Sequence, residues 1–180
     1  MTKKVCLIAL AAFVSIMQAC VSSKIASNKD SAYNIKPKKL YLIVSSSKDA
    51  KTFPQDLYNG LVKNFKTRNI AYDGFVRDPL SLKSDEELNH DLNAYDPDGL
   101  LTIKMTQIDI INGGAGGATF ELSLISRENK KTVWKANLNV TGPMRDLATV
   151  NSAIKTIIGK MQEDQIIETN DKISLLHNQY

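Results

Sequence analysis

Between Leu101 and Val140 the chain alternates apolar and polar residues in three separate runs, and that rhythm constrains the fold more than any other feature. Leu101, Ile103 and Met105 alternate with Thr102, Lys104 and Thr106. Phe120, Leu122 and Leu124 alternate with Thr119, Glu121 and Ser123, and Trp134, Ala136, Leu138 and Val140 with Lys135, Asn137 and Asn139. Successive side chains leave a strand on opposite faces, so each run predicts a strand with one apolar and one wet face. A polar turn at 127–131 and a glycine-rich segment at 113–117 separate the runs, which makes an antiparallel meander. The apolar phase slips to Ile108 and Ile110 after Met105, and this predicts a bulge near Gln107.

The first half reads differently. Leu40-Tyr41-Leu42-Ile43-Val44 is a continuous apolar run of strand length, the pattern of a central strand buried on both faces. Pro54 suits a first helical turn, and Leu57, Leu61 and Phe65 follow at four-residue spacing with Val62 beside them. Residues 70–76 form a short strand that ends at Asp78-Pro79. Ser84 and Glu87 have capping-box spacing, with Leu88, Leu92 and Tyr95 as the helix stripe behind them. Asp96-Pro97-Asp98-Gly99 is a turn by composition. A last helix, with Asp146 as its cap, carries Leu147, Val150, Ile154, Ile157, Ile158 and Met161 at spacings of three and four. The order predicts an α+β fold: a mixed, partly antiparallel sheet of about five strands with helices packed on one face.

The amino terminus states where the chain goes. Lys3 and Lys4 precede an apolar run from Val5 to Met17, broken only by Ser15, and Ala19 stands directly before Cys20. These are the parts of a secretory signal peptide, with an apolar core shorter than the roughly 20 residues a spanning helix needs. Met17-Gln18-Ala19-Cys20 resembles a bacterial lipobox. The resemblance implies cleavage after Ala19 and lipidation of Cys20, with Met17 in place of the usual leucine and Gln18 in place of a small residue. An ordinary signal peptide or an uncleaved anchor with a buried cysteine is the other reading. The expected organisation is a signal peptide at 1–19, a lipidated cysteine and flexible tether at 20–37, one α+β domain at 38–167 and a polar tail at 168–180. The tether is rich in Ser, Asn, Lys and Asp, and its reach is about 20–25 Å. Val21 is not the aspartate that retains lipoproteins at the inner membrane of enteric bacteria, which points to the outer membrane facing the periplasm.

Composition excludes several classes of function. Without Lys3 and Lys4, the 23 basic residues fall to 21 against 19 acidic, so the processed chain is near neutral. The densest basic group is Lys36-Pro37-Lys38-Lys39, with no continuous stripe for nucleic acid. On the lipobox reading Cys6 leaves with the signal peptide and Cys20 would be acylated, so the folded domain would have no thiol for a disulfide, a metal or a nucleophile. No cofactor is implied.

The candidate sites are few. Gly113, Gly114, Gly116 and Gly117 invite a phosphate-loop reading, but a strand follows them instead of a helix. They read better as a hairpin tip able to contact a partner. His90 and His177 have no partner at ligand spacing, so no metal site is expected. Asp96 and Asp98 are explained as turn residues. Asp109 and Glu121 face solvent on paired strands without a visible cleft to shift their pKa values, and no serine has a histidine base nearby. No catalytic residue is assigned. Trp134, the only tryptophan, reads as a packing residue or as an exposed partner anchor.

Three segments together carry a resemblance. They are 40–44 with the helix after it, Asp98-Gly99-Leu100-Leu101-Thr102-Ile103, and Glu128-Asn129-Lys130-Lys131-Thr132-Val133-Trp134-Lys135; a helix ending Met161-Gln162-Glu163-Asp164-Gln165-Ile166-Ile167 closes the pattern. The layout is similar to small envelope lipoproteins with an anticodon-binding-like α+β domain: penicillin-binding-protein activators, curli-secretion-type lipoproteins and the amino-terminal domain of TolB. The resemblance implies a non-enzymatic accessory or scaffold subunit of a cell-envelope complex, with an envelope protein as partner and the membrane held through the lipid. A small-ligand or glycan-binding lipoprotein of the periplasm is the alternative.

Overall fold

The apolar run at 40–44 is the core of β2 (Lys39–Ser45), where Leu40, Leu42 and Val44 are fully buried on one face and Tyr41 and Ile43 nearly so on the other. The computed structural model describes residues 21–169 except 46, 48, 49, 51 and 112. The expected signal peptide at 1–19, Cys20, His177 and most of the polar tail lie outside the described residues. β2 lies between two parallel neighbours, β3 (Ala71–Arg77) and β4 (Gly99–Ile111). β4, β5 (Gly114–Ser126) and β6 (Thr132–Thr141) form the antiparallel meander, with register shifts at Met105/Gln107, where the bulge was expected, and at Asp109/Ile110. The full order is β1-β6-β5-β4-β2-β3, a six-stranded mixed sheet. The α+β class holds, with one strand more than expected.

The extra strand is β1 (Ser22–Lys29), and it corrects the tether expectation. It pairs antiparallel with β6 from Ser22↔Thr141 to Lys29↔Trp134. Its sequence carries one large apolar residue, Ile25, which packs against the core opposite Leu138. The polar residues on the same face are satisfied in place. Ser27 donates to Asp164, and the Ser23 and Ser152 hydroxyls lie 3.0 Å apart. Backbone pairing along the free edge of β6 thus orders a segment that side-chain hydrophobicity alone would leave loose.

Helix α1 (Phe53–Thr67) has Pro54 in its first turn and buries Phe53, Leu57, Leu61 and Phe65. Helix α3 (Leu147–Glu163) starts at Asp146, whose side chain accepts from the Ala148 N–H at 2.9 Å, and buries Val150, Ala153, Ile154, Ile157, Ile158 and Met161. Both cover the face lined by Leu42, Leu101, Ile103, Phe120, Leu122, Leu124 and Trp134. Helix α2 (Asp85–Tyr95) does not join them, which corrects the expectation that all helices share one face. Its Leu92, with Leu88 and Tyr95, packs on Tyr41, Ile43, Phe75 and Leu100 on the opposite side of the sheet. β2 is apolar on both faces, so each face needs its own cover.

Trp134 is 1% exposed, which takes it out of the partner-anchor reading. Its indole Nε1 donates to Asp164 Oδ2 at 2.7 Å, just past the end of α3. Asp164 also accepts from Ser27 and pairs with Lys160 at 3.2 Å. Burial pushes the Asp164 carboxyl up, but the hydrogen bonds from Ser27, Trp134 and Lys160 outweigh it and hold the pKa below its ordinary 3.8. A depressed folded pKa gives stability that is present above the unfolded value and is lost as pH falls through the folded one. Asp164→Asn is therefore expected to cost about 1–3 kcal/mol at pH 7. The gap from wild type should shrink as pH drops below about 4. Urea melts at several pH values test this, and equal midpoints at pH 7 would remove Asp164 as the latch of β1, β6 and α3.

Candidate functional site

Where α2 crosses the short strands, three rings meet. Tyr41 projects from β2, Phe75 from β3 and Tyr95 from the end of α2. The Tyr41 and Phe75 rings meet edge to face at 6.4 Å, and the Tyr41 and Tyr95 rings lie 6.0 Å apart. They line an open groove of about 510 Å³ with Asp73, Gly74, Lys83, Asp91 and Ala94. Gly74 lines it and has φ 139°; a Cβ there would stand 1.9 Å from the Leu42 carbonyl oxygen. Asp73 Oδ1 accepts from the Gly74 N–H at 2.7 Å, and the Tyr58 hydroxyl donates to the Gly74 carbonyl at 3.0 Å.

Two of the charges that line the groove, Lys83 and Asp91, form an ion pair. Lys83 bonds Asp91 and holds its ammonium 4.6 Å above the Phe75 ring centre. The Asp91 hydrogen bond pushes the Lys83 pKa up, against a smaller opposing effect of burial. Burial likewise pushes the Tyr41 and Tyr95 phenols up. These shifts lead away from neutrality, so the lysine stays charged and the phenols stay protonated near pH 7. The groove therefore presents aromatic faces and edges beside charged and hydroxyl groups.

The residues singled out in the sequence are dispersed. Gly113, at φ 77°, occupies the β4–β5 turn, whereas Gly114, Gly116 and Gly117 belong to β5, so the tip is shorter than expected. The reason is steric. A Cβ on Gly117 would stand 2.8 Å from the Val140 carbonyl oxygen, and one on Gly116 would strike the Ile111 side chain at 2.6 Å. These glycines let neighbouring strands close against β5. Asp109 lies opposite Gly117 and accepts from Gln107 at 2.9 Å. Glu121 lies opposite Lys104 and pairs with Lys135 at 3.2 Å, so the two acids are not brought together. Asp96 caps α2 at φ 50°, and Asp98 accepts from the Lys38 and Lys39 N–H groups at 2.7 and 2.9 Å. His90 is exposed on α2. Among the described residues no cluster of three His, Cys, Asp or Glu side chains is placed to hold a metal, and no helix is long and apolar enough to cross a membrane. The ring cluster was missed because Tyr41 and Tyr95 read as ordinary members of apolar stripes, and only α2's choice of face brings them together.

Comparison with known proteins adds fold and little else. No protein-family profile and no curated protein matches the chain. The subunit of the PelC dodecamer from Paraburkholderia phytofirmans is 13% identical with a TM-score of 0.50, covering 75% of this chain and 94% of that one. A single-substitution form of that dodecamer gives 13% identity and a TM-score of 0.50 over 74% and 96% of the two chains. Protein XCC0632 from Xanthomonas campestris is 12% identical over 81% and 91%, with a TM-score of 0.37.

The two kinds of glycine in the hairpin separate by mutation. Gly117→Ala is expected to destabilise the domain by about 2 kcal/mol or more, because backbone must move to admit the methyl group. Gly113→Ala meets nothing within 4 Å, and its cost is limited to the backbone conformation, about 1 kcal/mol. Thermal melts of both variants decide the matter, and a reversed ranking would show that β5 does not close on β6 as described.

Proposed function

We propose that the chain is a lipid-anchored lipoprotein of the bacterial cell envelope that serves as a non-enzymatic accessory or scaffold subunit of an envelope protein complex, attached to the outer membrane and facing the periplasm. The observation that carries this reading is the fold shared with the subunit of the PelC dodecamer over 94% of that chain. It is a fold that builds a multi-copy assembly in that protein. Lys3, Lys4, the apolar run and Ala19-Cys20 supply the export and anchoring half of the proposal. The likeness of the strand and helix layout to penicillin-binding-protein activators, curli-secretion-type lipoproteins and the TolB amino-terminal domain supports the same reading.

The sheet edges are unequal as contact surfaces. On β3 the Gly74 N–H and carbonyl are already taken by Asp73 and Tyr58, which blunts that edge. β1 carries no comparable side-chain cap on its backbone among the described residues, so an added strand would join there. Crosslinking in bacterial membranes, followed by purification and native mass spectrometry, is expected to return a multi-copy assembly or a stoichiometric envelope partner. Cys20→Ala, in a chain whose residues 1–19 are replaced by an ordinary cleavable signal peptide so that no apolar run remains, should release the chain from the membrane and lose that complex. A bare monomer would sink the scaffold reading, and an alanine variant that stays in the membrane would sink the anchor.

The groove supports a second reading, a binder of small ligands or glycans. Tyr41, Phe75 and Tyr95 offer ring faces and edges, and Asp73, Asp91 and Lys83 offer polar contacts. Titration with a panel of cell-envelope oligosaccharides, followed by amide chemical shifts, is expected to move resonances of β3 and α2. Tyr95→Ala should then weaken binding about tenfold. Shifts absent from both elements across the panel would dismiss the groove as a saccharide site.

A further inference from the structure

We propose that the tip of the β4–β5 hairpin is a second membrane contact, docking on the lipid surface beside the Cys20 anchor and fixing the domain's orientation. The proposal rests on the anchored-lipoprotein reading and names the surface that this end of the domain meets.

Strand register places Ser22, two residues after the cysteine, and the tip at one end of the sheet. Ser22 lies opposite Thr141, Thr141 opposite Gly117, and Gly117 opposite Asp109, a single row across four strands. The chain reaches Cys20 two residues before Ser22, so the cysteine stands no more than about 7 Å from that residue. On β4 the same two residues beyond the row are Ile110 and Ile111. Three strand spacings, about 14 Å, separate the two places. A flexible tether would have left the face of the domain toward the bilayer undecided. Pairing of β1 decides it.

The surface at that end suits lipid. Ile110 and Ile111 are 58% and 56% exposed, although both belong to a strand. Leu147, the first residue of α3, is 64% exposed. It follows the 142–144 segment that holds the hairpin: the Gly142 N–H donates to the Gly116 carbonyl at 2.8 Å and the Met144 N–H to the Ala115 carbonyl at 3.0 Å. Three of the seven exposed large hydrophobic residues among those described therefore gather at this end. From Ile110 to Phe120 the chain has no charged residue, while Asp109 lies at the base of the hairpin and Arg145 and Asp146 stand exposed after the 142–144 segment. An uncharged tip with apolar side chains, and charges of both signs behind it, matches the boundary between acyl chains and headgroups. The hairpin is firmly held, being bonded to β6 and to the 142–144 segment, so it transmits orientation to the whole sheet.

The processed chain has no thiol apart from Cys20, so a single reporter cysteine can be read cleanly. Ile111→Cys at the tip and Glu128→Cys in the β5–β6 turn at the opposite end would each carry a bimane label. Each would be placed in the acylated chain and in the Cys20→Ala chain processed from the ordinary signal peptide, so that Cys6 is absent from both. The probe is vesicles of phosphatidylethanolamine and phosphatidylglycerol with brominated acyl chains. Quenching at 111 and not at 128 is expected in the acylated chain and, at saturating lipid, in the alanine chain. The pair Ile110→Asn and Ile111→Asn, at exposed positions, should leave the circular dichroism unchanged and weaken vesicle binding of the alanine chain about tenfold. No quenching at 111 in either chain overturns the proposal, as does equal quenching at both positions. Lipid-independent contact between labels on two copies overturns it too, by giving the tip to a second copy. Mass spectrometry of the amino-terminal peptide reports the anchor separately. An unacylated Cys20 with quenching at 111 defeats the lipoprotein reading and keeps the tip, and an acylated Cys20 without quenching does the reverse.

Discussion

The pairing of β1 with β6 is the interaction on which the arrangement of this domain depends. It closes the edge of the meander with an eight-residue strand that has little hydrophobicity of its own. It therefore needs an outside lock, and Asp164 supplies one by joining Ser27, Trp134 and Lys160 beyond the end of α3. One carboxylate thus ties the first strand, the last strand and the last helix together. A partly buried charge held by three donors is costly to disturb, because any lost donor leaves it undercompensated. The same pairing sets Ser22 level with the base of the β4–β5 hairpin.

The second organising fact is that the two halves of the sheet are built for different surroundings. β5 and β6 alternate, and their outward residues, among them Thr119, Glu121, Lys135 and Asn137, stay wet or half-wet. β2 is apolar throughout, so α2 must cover the face that α1 and α3 leave bare. A short helix cannot cover that face completely. The uncovered remainder is the groove where Tyr41, Phe75 and Tyr95 meet. Burial is incomplete in two places, at this groove and at the hairpin end where Ile110 and Ile111 stand exposed.

Much of this was legible before any coordinates. The meander, the bulge beside Gln107, the capping box of Ser84 and Glu87, the Asp146 cap and the central strand at 40–44 all follow from local chemistry, and each stands where expected. The failures have a common cause. Residues 22–29 contain too little apolar surface to announce a strand, because their order comes from β6. Gly114, Gly116 and Gly117 read as a loop because glycine marks both turns and close strand approach, and only the Val140 and Ile111 neighbours distinguish the two. Trp134 read as two possibilities until Asp164, thirty residues on, took its indole N–H.

The sequence by itself determined which segments form the helices and all strands but β1, and that the sheet is mixed and partly antiparallel. Those properties depend on side-chain periodicity and on residues near in sequence, within the reach of a turn or a cap. Tertiary structure alone decided the edge partner of β6, the face taken by α2, the meeting of three aromatic rings, and the row that sets Ser22 level with the base of the hairpin. Each of these is a contact between distant segments. Its free energy depends on which edge or face the rest of the fold has left uncovered, and no local pattern records that.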